Sequence, residues 1–220
     1  MTKLPAGSAP PNPQGRETLV PERTALLLFD FLNGHFKGKD AATTARLAPV
    51  IANAARLLAA ARASGALVAY ACAAHRADGG TSARTMTDTD NRLRPWGESG
   101  PREPVPIVAA GTVAAEIIDE LAPTAADYVV PKYRWSSFHG TYLDLALRTR
   151  GIDVIVLAGG STDVGVASTA FAARDLDYNL VVASDACTSG ETDNHDQLMR
   201  RVFPRMSRVR TTDEIVGMLR

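Results

Sequence analysis

The amino-acid sequence predicts an α/β fold: a single-domain open parallel sheet of about six strands with helices on both faces. Three observations carry this expectation. Short apolar runs recur at 24–29, 67–70, 128–130, 154–158 and 180–183, lengths suited to strands covered on both faces. Segments with helical character lie between most of them, and such alternation along a whole chain calls for parallel pairing through right-handed crossovers. The length, 220 residues, is that of one large domain and suffices for a core that needs no disulfide or structural metal.

Taken in order, residues 1–22 hold several Pro and Gly and read as an extended arm, followed by the folded domain at 23–220. The first strand, 24–29, ends at Asp30. Over 44–64, Leu47, Ile51, Ala54, Ala55, Leu58 and Ala61 recur at three- and four-residue steps, which gives a helix one apolar face, with Gly65 as its stop. The second strand covers 67–70. Residues 76–106 are polar with several Gly and Pro and read as a long loop, of a length that is usually functional or disordered. A short helix is expected over 112–121, then a third strand over 128–130 that ends at Lys132. A helix over 142–150 closes at Gly151, a fourth strand follows at 153–158, and a helix at 164–176. The fifth strand is 180–183, the next helix 194–203, and a weak sixth strand lies at Val209. Thr211, with Glu214 three residues on, forms a capping box that opens the last helix.

Lys+Arg and Asp+Glu both total 24, and no basic run or stripe stands out, so nucleic acid and acidic membranes are not expected partners. No apolar run is long enough to span a bilayer, and the first residues lack a signal-peptide core, so a cytoplasmic location is expected. The two cysteines, Cys72 and Cys187, sit in apolar surroundings and read as small buried thiols.

Three stretches carry the chemistry. Asp30 directly follows a buried strand in Leu26-Leu27-Leu28-Phe29-Asp30-Phe31-Leu32-Asn33. A carboxyl in that position is partly desolvated and can serve as general acid or base, although a lone aspartate there also reads as a helix cap. Lys132 opens Lys132-Tyr133-Arg134-Trp135-Ser136-Ser137-Phe138-His139; alone it would read as an exposed loop lysine. The third stretch, Gly159-Gly160-Ser161-Thr162-Asp163-Val164-Gly165-Val166-Ala167-Ser168-Thr169-Ala170, turns from the fourth strand into a helix. A tight turn into a helix start points backbone N–H groups outward, and the helix dipole favours an anion there, which is how an oxyanion hole is built.

Together these stretches resemble the isochorismatase-like hydrolases, or cysteine hydrolase superfamily: an apolar strand followed by D-x-x-N, a K-x-x-Y-S-A-F stretch, and an elbow of the form G-V-A-T-N-V-C-V-x-S-T. The resemblance covers roughly 23–219. It implies the strand order 3-2-1-4-5-6, which sets strands one and four together at the topological switch point, where ligands bind beyond the strands' carboxyl ends. It implies that Asp30 and Lys132 pair and that Lys132 stabilises negative charge in the transition state. It implies an oxyanion hole from the N–H groups of Ser161 and Gly165, with a cis peptide between Gly160 and Ser161. It assigns substrate contacts to Asn33, Phe36, Trp135 and Phe138, and association as a homodimer or homotetramer. Leu32 departs from the polar residue often found at its position.

The larger departure is Gly165, which stands where most of the superfamily has its cysteine, and glycine cannot be a nucleophile. Ser161 and Ser168 have no histidine near in sequence to activate them. His35, His75, His139 and His195 lack the D-x-H…H spacing with which one branch of the superfamily holds a metal, so neither metal nor cofactor is expected. Three readings follow. In the first, the chain hydrolyses a small polar metabolite without a covalent intermediate, as do true isochorismatases, which have glycine in this slot and whose aspartate protonates a vinyl ether; the glutamine with which they contact substrate falls near Ala73 here. In the second, it is an amidohydrolase of a small amide, ureido or carbamoyl compound that has lost its cysteine. In the third, it is a catalytically silent binder of a small molecule or partner.

Overall fold

A computed structural model describes residues 17–83 and 108–219. Six strands make one sheet: β1 (Thr24–Phe29), β2 (Leu67–Ala73), β3 (Tyr128–Lys132), β4 (Val154–Gly160), β5 (Asn179–Thr188) and β6 (Arg208–Arg210). All pairings are parallel and the order is β3-β2-β1-β4-β5-β6, as the resemblance implied. β1 lies between β2 and β4, and all six of its residues are buried, which is why its sequence is continuously apolar after Thr24.

Alternation along β1 divides the core in two. Leu26 and Leu28 point to one face, where they join Leu57, Leu58 and Ala61 of α2 (Ala41–Ser64) and Ile215 and Met218 of the C-terminal helix. Ala25, Leu27 and Phe29 point to the other, among Leu143 and Leu147 of α3 (Leu143–Thr149) and Ala167, Ala170 and Ala173 of α4 (Ala167–Asp175). Phe29 therefore sits on the same side of the sheet as the helix that leads away from the elbow.

α2 starts three residues earlier than its apolar spacing indicates, because Asp40 caps it by accepting the Thr43 N–H at 2.9 Å. Gly65 ends it in the left-handed conformation, φ 81°. The helix expected over 112–121 does not form. In its place two 3₁₀ turns, Val113–Ala115 and Asp119–Leu121, flank an antiparallel bridge between Ile117 and Leu32. Glu116 O accepts the Asn33 N–H at 2.9 Å and Phe31 O accepts the Ile118 N–H at 3.0 Å, so backbone pairing with the chain after β1 replaces helical hydrogen bonds. The segment expected as one helix over 194–203 is α5 (Thr192–Gln197), a π turn (Leu198–Val202) and a 3₁₀ turn (Phe203–Arg205) that begins beside Pro204. The capping box of α6 (Thr212–Met218) is present as read.

Residues 17–22 of the proposed arm run along their own chain: Arg210 donates to Glu17 at 2.7 and 2.9 Å, and the Leu19 N–H donates to Met218 O at 2.8 Å. Residues 1–16 and the larger part of the 76–106 loop lie outside the described residues.

Candidate active site

The carboxyl ends of β1 and β3 meet through their last side chains. Asp30 follows β1, and its Oδ2 lies 2.7 Å from Lys132 Nζ. Its Oδ1 accepts the backbone N–H of Ala73 at 2.8 Å. Ala73 and Lys132 are register partners on β2 and β3, so this one carboxylate ties three adjacent strand ends together. The residues are only 7% and 5% exposed, which makes the pair a desolvated one. Asp30 also holds a left-handed backbone, φ 49°, fixed by its N–H on Ala71 O at 2.9 Å and by the Leu32 N–H on its own carbonyl at 2.7 Å. A non-glycine residue in that region is uncommon and gathers at functional sites.

Beside this pair stands the elbow. β4 ends at Gly160, the Gly160–Ser161 peptide is cis, and a π turn (Thr162–Val166) leads into α4. Ser161 O accepts the N–H groups of Val164 at 3.3 Å and Val166 at 3.0 Å. The Asp163 carboxylate clamps the turn, accepting from Ser161 Oγ, from Ser189 Oγ at 2.6 Å and from Asn194 Nδ2 at 2.8 Å. Partial burial pushes its carboxyl up, but those three hydrogen bonds outweigh burial and hold it below the usual carboxylate range. Thr162 is fully buried, and its hydroxyl lies 2.9 Å from His195 Nδ1.

Gly165, buried within the π turn, faces Phe29. A Cβ placed on Gly165 would fall 2.2 Å from both Cε1 and Cζ of the Phe29 ring. On the same ring rests the Lys132 ammonium, 4.3 Å from its centroid. Phe29 thus touches both halves of the site. Sequence reasoning passed over it because an apolar residue at a strand end looks like core, and its proximity to residue 165 is set by sheet order alone.

The other sequence-derived positions divide. Phe36, at the end of α1 (Asn33–Phe36), is buried, stacks on Phe31 at 4.8 Å and puts its ring tip against Gly160, at the elbow. Asn33 opens α1, and its Nδ2 donates to Val113 O at 3.1 Å. Trp135 is 65% exposed. Phe138 is not brought to the site: it stacks on Tyr178 at 5.7 Å, and Tyr178 precedes β5 at the amino end of the sheet. Phe138 is half-buried there and packs against the core cluster on the α3 and α4 side of the sheet.

Two histidines lie near the ion pair. Burial pushes the His35 imidazole down, with Asp30 opposing and Lys132 reinforcing the effect. His75 is lowered in the same way, chiefly by burial, and its ring meets Tyr133 edge-on at 6.1 Å. Both therefore sit within electrostatic reach of Asp30 and Lys132. His139 is exposed. Burial raises both thiols, Cys72 and Cys187, to about 12, which leaves them unfit as nucleophiles at neutral pH. Among the described residues, no group of three or more His, Cys, Asp or Glu side chains is arranged to hold a metal, and no helix is long and apolar enough to cross a membrane.

A doubly wound parallel sheet with a buried Asp–Lys pair and a strand-to-helix elbow defines an α/β protein whose candidate site lies at the switch point, where such sheets bind ligands. The isochorismatase domain matches residues 24–214, and the chain belongs to the isochorismatase family of hydrolases. It is 34% identical over 178 residues to the ureidoacrylate amidohydrolase RutB of Pantoea ananatis, covering 76% of this chain and 70% of that protein. It is 46% identical over 99 residues to the isochorismatase family protein YecD of Escherichia coli O157:H7, covering 45% of this chain and 53% of the relative. That match thus spans about half the relative's length, as does the match to YwoC of Bacillus subtilis, which covers 54% of it. Among solved structures, an isochorismatase family protein from Burkholderia thailandensis superposes with a TM-score of 0.72 at 32% identity, covering 93% of this chain and 98% of the other. The N-carbamoylsarcosine amidase of Thermoplasma acidophilum does so with a TM-score of 0.67 at 31% identity, covering 88% and 98%.

Proposed function

We propose that this chain hydrolyses a small polar metabolite by direct attack of water, with Asp30 and Lys132 as its catalytic pair and no covalent intermediate. The observation that carries the reading is the buried Asp30–Lys132 ion pair at the ends of β1 and β3, next to an elbow whose nucleophile position is Gly165. In a vinyl ether, Asp30 delivers a proton to the vinyl carbon, water adds to the oxocarbenium carbon, and the hemiketal collapses to a ketone and an alcohol. The negative charge left on Asp30 by that transfer is held by Lys132 and the Ala73 N–H, and a tetrahedral oxyanion, where one forms, falls to the N–H groups of Ser161 and Gly165. Asn33 and Phe36 line the approach from α1.

A second reading, hydrolysis of an amide, ureido or carbamoyl compound, draws on the activities named for two relatives, RutB and the N-carbamoylsarcosine amidase. There Asp30 takes a proton from the attacking water and returns it to the leaving nitrogen. The test is a panel of small enol ethers against ureido and carbamoyl acids, each followed by intact-protein mass spectrometry during turnover. Hydrolysis with no protein adduct, abolished in Asp30→Asn, is the expected result. An acyl adduct on Cys72 or Cys187 would overturn both versions. Saturable binding across the panel with no turnover would make the protein a silent relative.

A further inference from the structure

We propose that Phe29 is a positioning residue that makes Gly165 obligatory: its ring occupies the volume of a side chain at 165 and holds Lys132 against Asp30. Non-bonded carbons pack at about 3.5–4.0 Å. A Cβ at 165, at 2.2 Å from two ring atoms, therefore requires the ring to move by about 1 Å or more. The ring has little room to do so. Phe29 is 2% exposed, lies in the cluster shared by β1, β4 and α4, and carries the Lys132 ammonium on its face. Its backbone is pinned as well, because Gly159 approaches so closely that a Cβ there would lie 2.3 Å from Phe29 O. Moving the ring out of the way of residue 165 thus moves the surface on which Lys132 rests.

Two consequences follow. A site shaped for a thiol would leave the space over residue 165 empty, and here that space holds an aromatic ring. Gly165 and Phe29 are therefore two parts of one small-for-large arrangement, and Gly165 is not what remains after a thiol is removed from a finished cysteine site. The cation–π contact also holds the ammonium on a buried aromatic face, which stabilises the charge without competing for the carboxylate.

The effect on Lys132 deepens the reading of a water-attacking hydrolase and rests on it for any change in turnover; the packing claim does not. The packing test is a urea-unfolding cycle of wild type, Gly165→Ala, Phe29→Ala and the double variant. Overpacking should shift the unfolding equilibrium of Gly165→Ala by roughly 5- to 150-fold, where an exposed helical glycine would gain from the same change. Phe29→Ala/Gly165→Ala should be more stable than the sum of the two single changes predicts. Additive behaviour, or a double variant that fails to fold when Gly165→Ala folds, overturns the proposal. Should Gly165→Ala itself not fold, the double variant must fold for the proposal to stand. The positioning claim is read by NMR of the Lys132 side chain: upfield ring-current shifts in wild type that vanish in Phe29→Leu. Unchanged shifts would overturn it. On a substrate that wild type turns over, Phe29→Leu should lower kcat with KM nearly unchanged. Coupling and ring-current shifts without any turnover would refute the hydrolase reading and leave the Phe29–Gly165 arrangement intact.

Discussion

Replacing Lys132 by Met is the most informative single perturbation of this site. The pair it breaks is buried, with side chains 6% and 9% exposed and a separation of 2.7 Å. Removing the cation leaves the Asp30 carboxylate with the Ala73 N–H as its remaining partner in the strand ends. Loss of one member of a buried pair costs about 3–5 kcal/mol, because the other charge stays desolvated and uncompensated. Against a total stability of about 5–15 kcal/mol that is a large share. At about 2–4 °C per kcal/mol for a chain of this length, the melting temperature should fall by roughly 6–20 °C. The double change Asp30→Leu/Lys132→Met removes both charges and should come out near neutral, or more stable than wild type by about 1–4 kcal/mol. Activity should vanish in both. Urea unfolding at fixed pH and salt measures the two stabilities. A single variant that costs under about 1 kcal/mol, as an exposed pair would, or a double variant no more stable than the single, would refute the claim that this pair is desolvated and kept for chemistry.

Other outcomes are open to direct test. Asp163 has a folded-state carboxyl held below its ordinary range by Ser161, Ser189 and Asn194, so its contribution is present above the unfolded value and lost as pH falls through the lowered one. The stability difference between wild type and Asp163→Asn should therefore shrink in acid, starting near an ordinary aspartate pKa of about 4. A difference that stays constant down to full acid unfolding would show that the clamp is not ionic. Cys72 and Cys187 should resist iodoacetamide in the native state at pH 8 and react after unfolding, since burial has raised both thiols; prompt native labelling of either would contradict the packing described. A homodimer or homotetramer is expected in solution, and Trp135, Leu145 and Phe171 are exposed apolar side chains available for contact. Light scattering that shows a monomer at micromolar concentration would refute it.

Much of this protein is legible in its sequence, and the reason is local. A strand buried on both faces must be apolar throughout, so β1 and β4 announce themselves. Gly65 and the Thr211–Glu214 box are caps whose chemistry lies within a few residues. The order of the strands came from a family pattern, and once it is granted, Asp30, Lys132 and the elbow fall on the same end of the sheet, with β1 and β4 side by side and β3 one strand beyond β2. Tertiary structure alone decided the rest. The 112–121 segment has helical composition, yet it pairs with the chain after β1, and no local rule reveals a backbone partner more than eighty residues away. Phe138 sits in a stretch that resembles a substrate-binding one, yet the path of the chain takes it to Tyr178. His195 reaches Thr162 across 33 residues. Gly165 could be read from the sequence as a missing nucleophile; that the space is filled by Phe29, 136 residues earlier, depends on β1 and β4 lying side by side with their odd-numbered residues toward α4. Composition and spacing record what each residue can do, whereas competition of two side chains for one volume exists only after the sheet has brought them together.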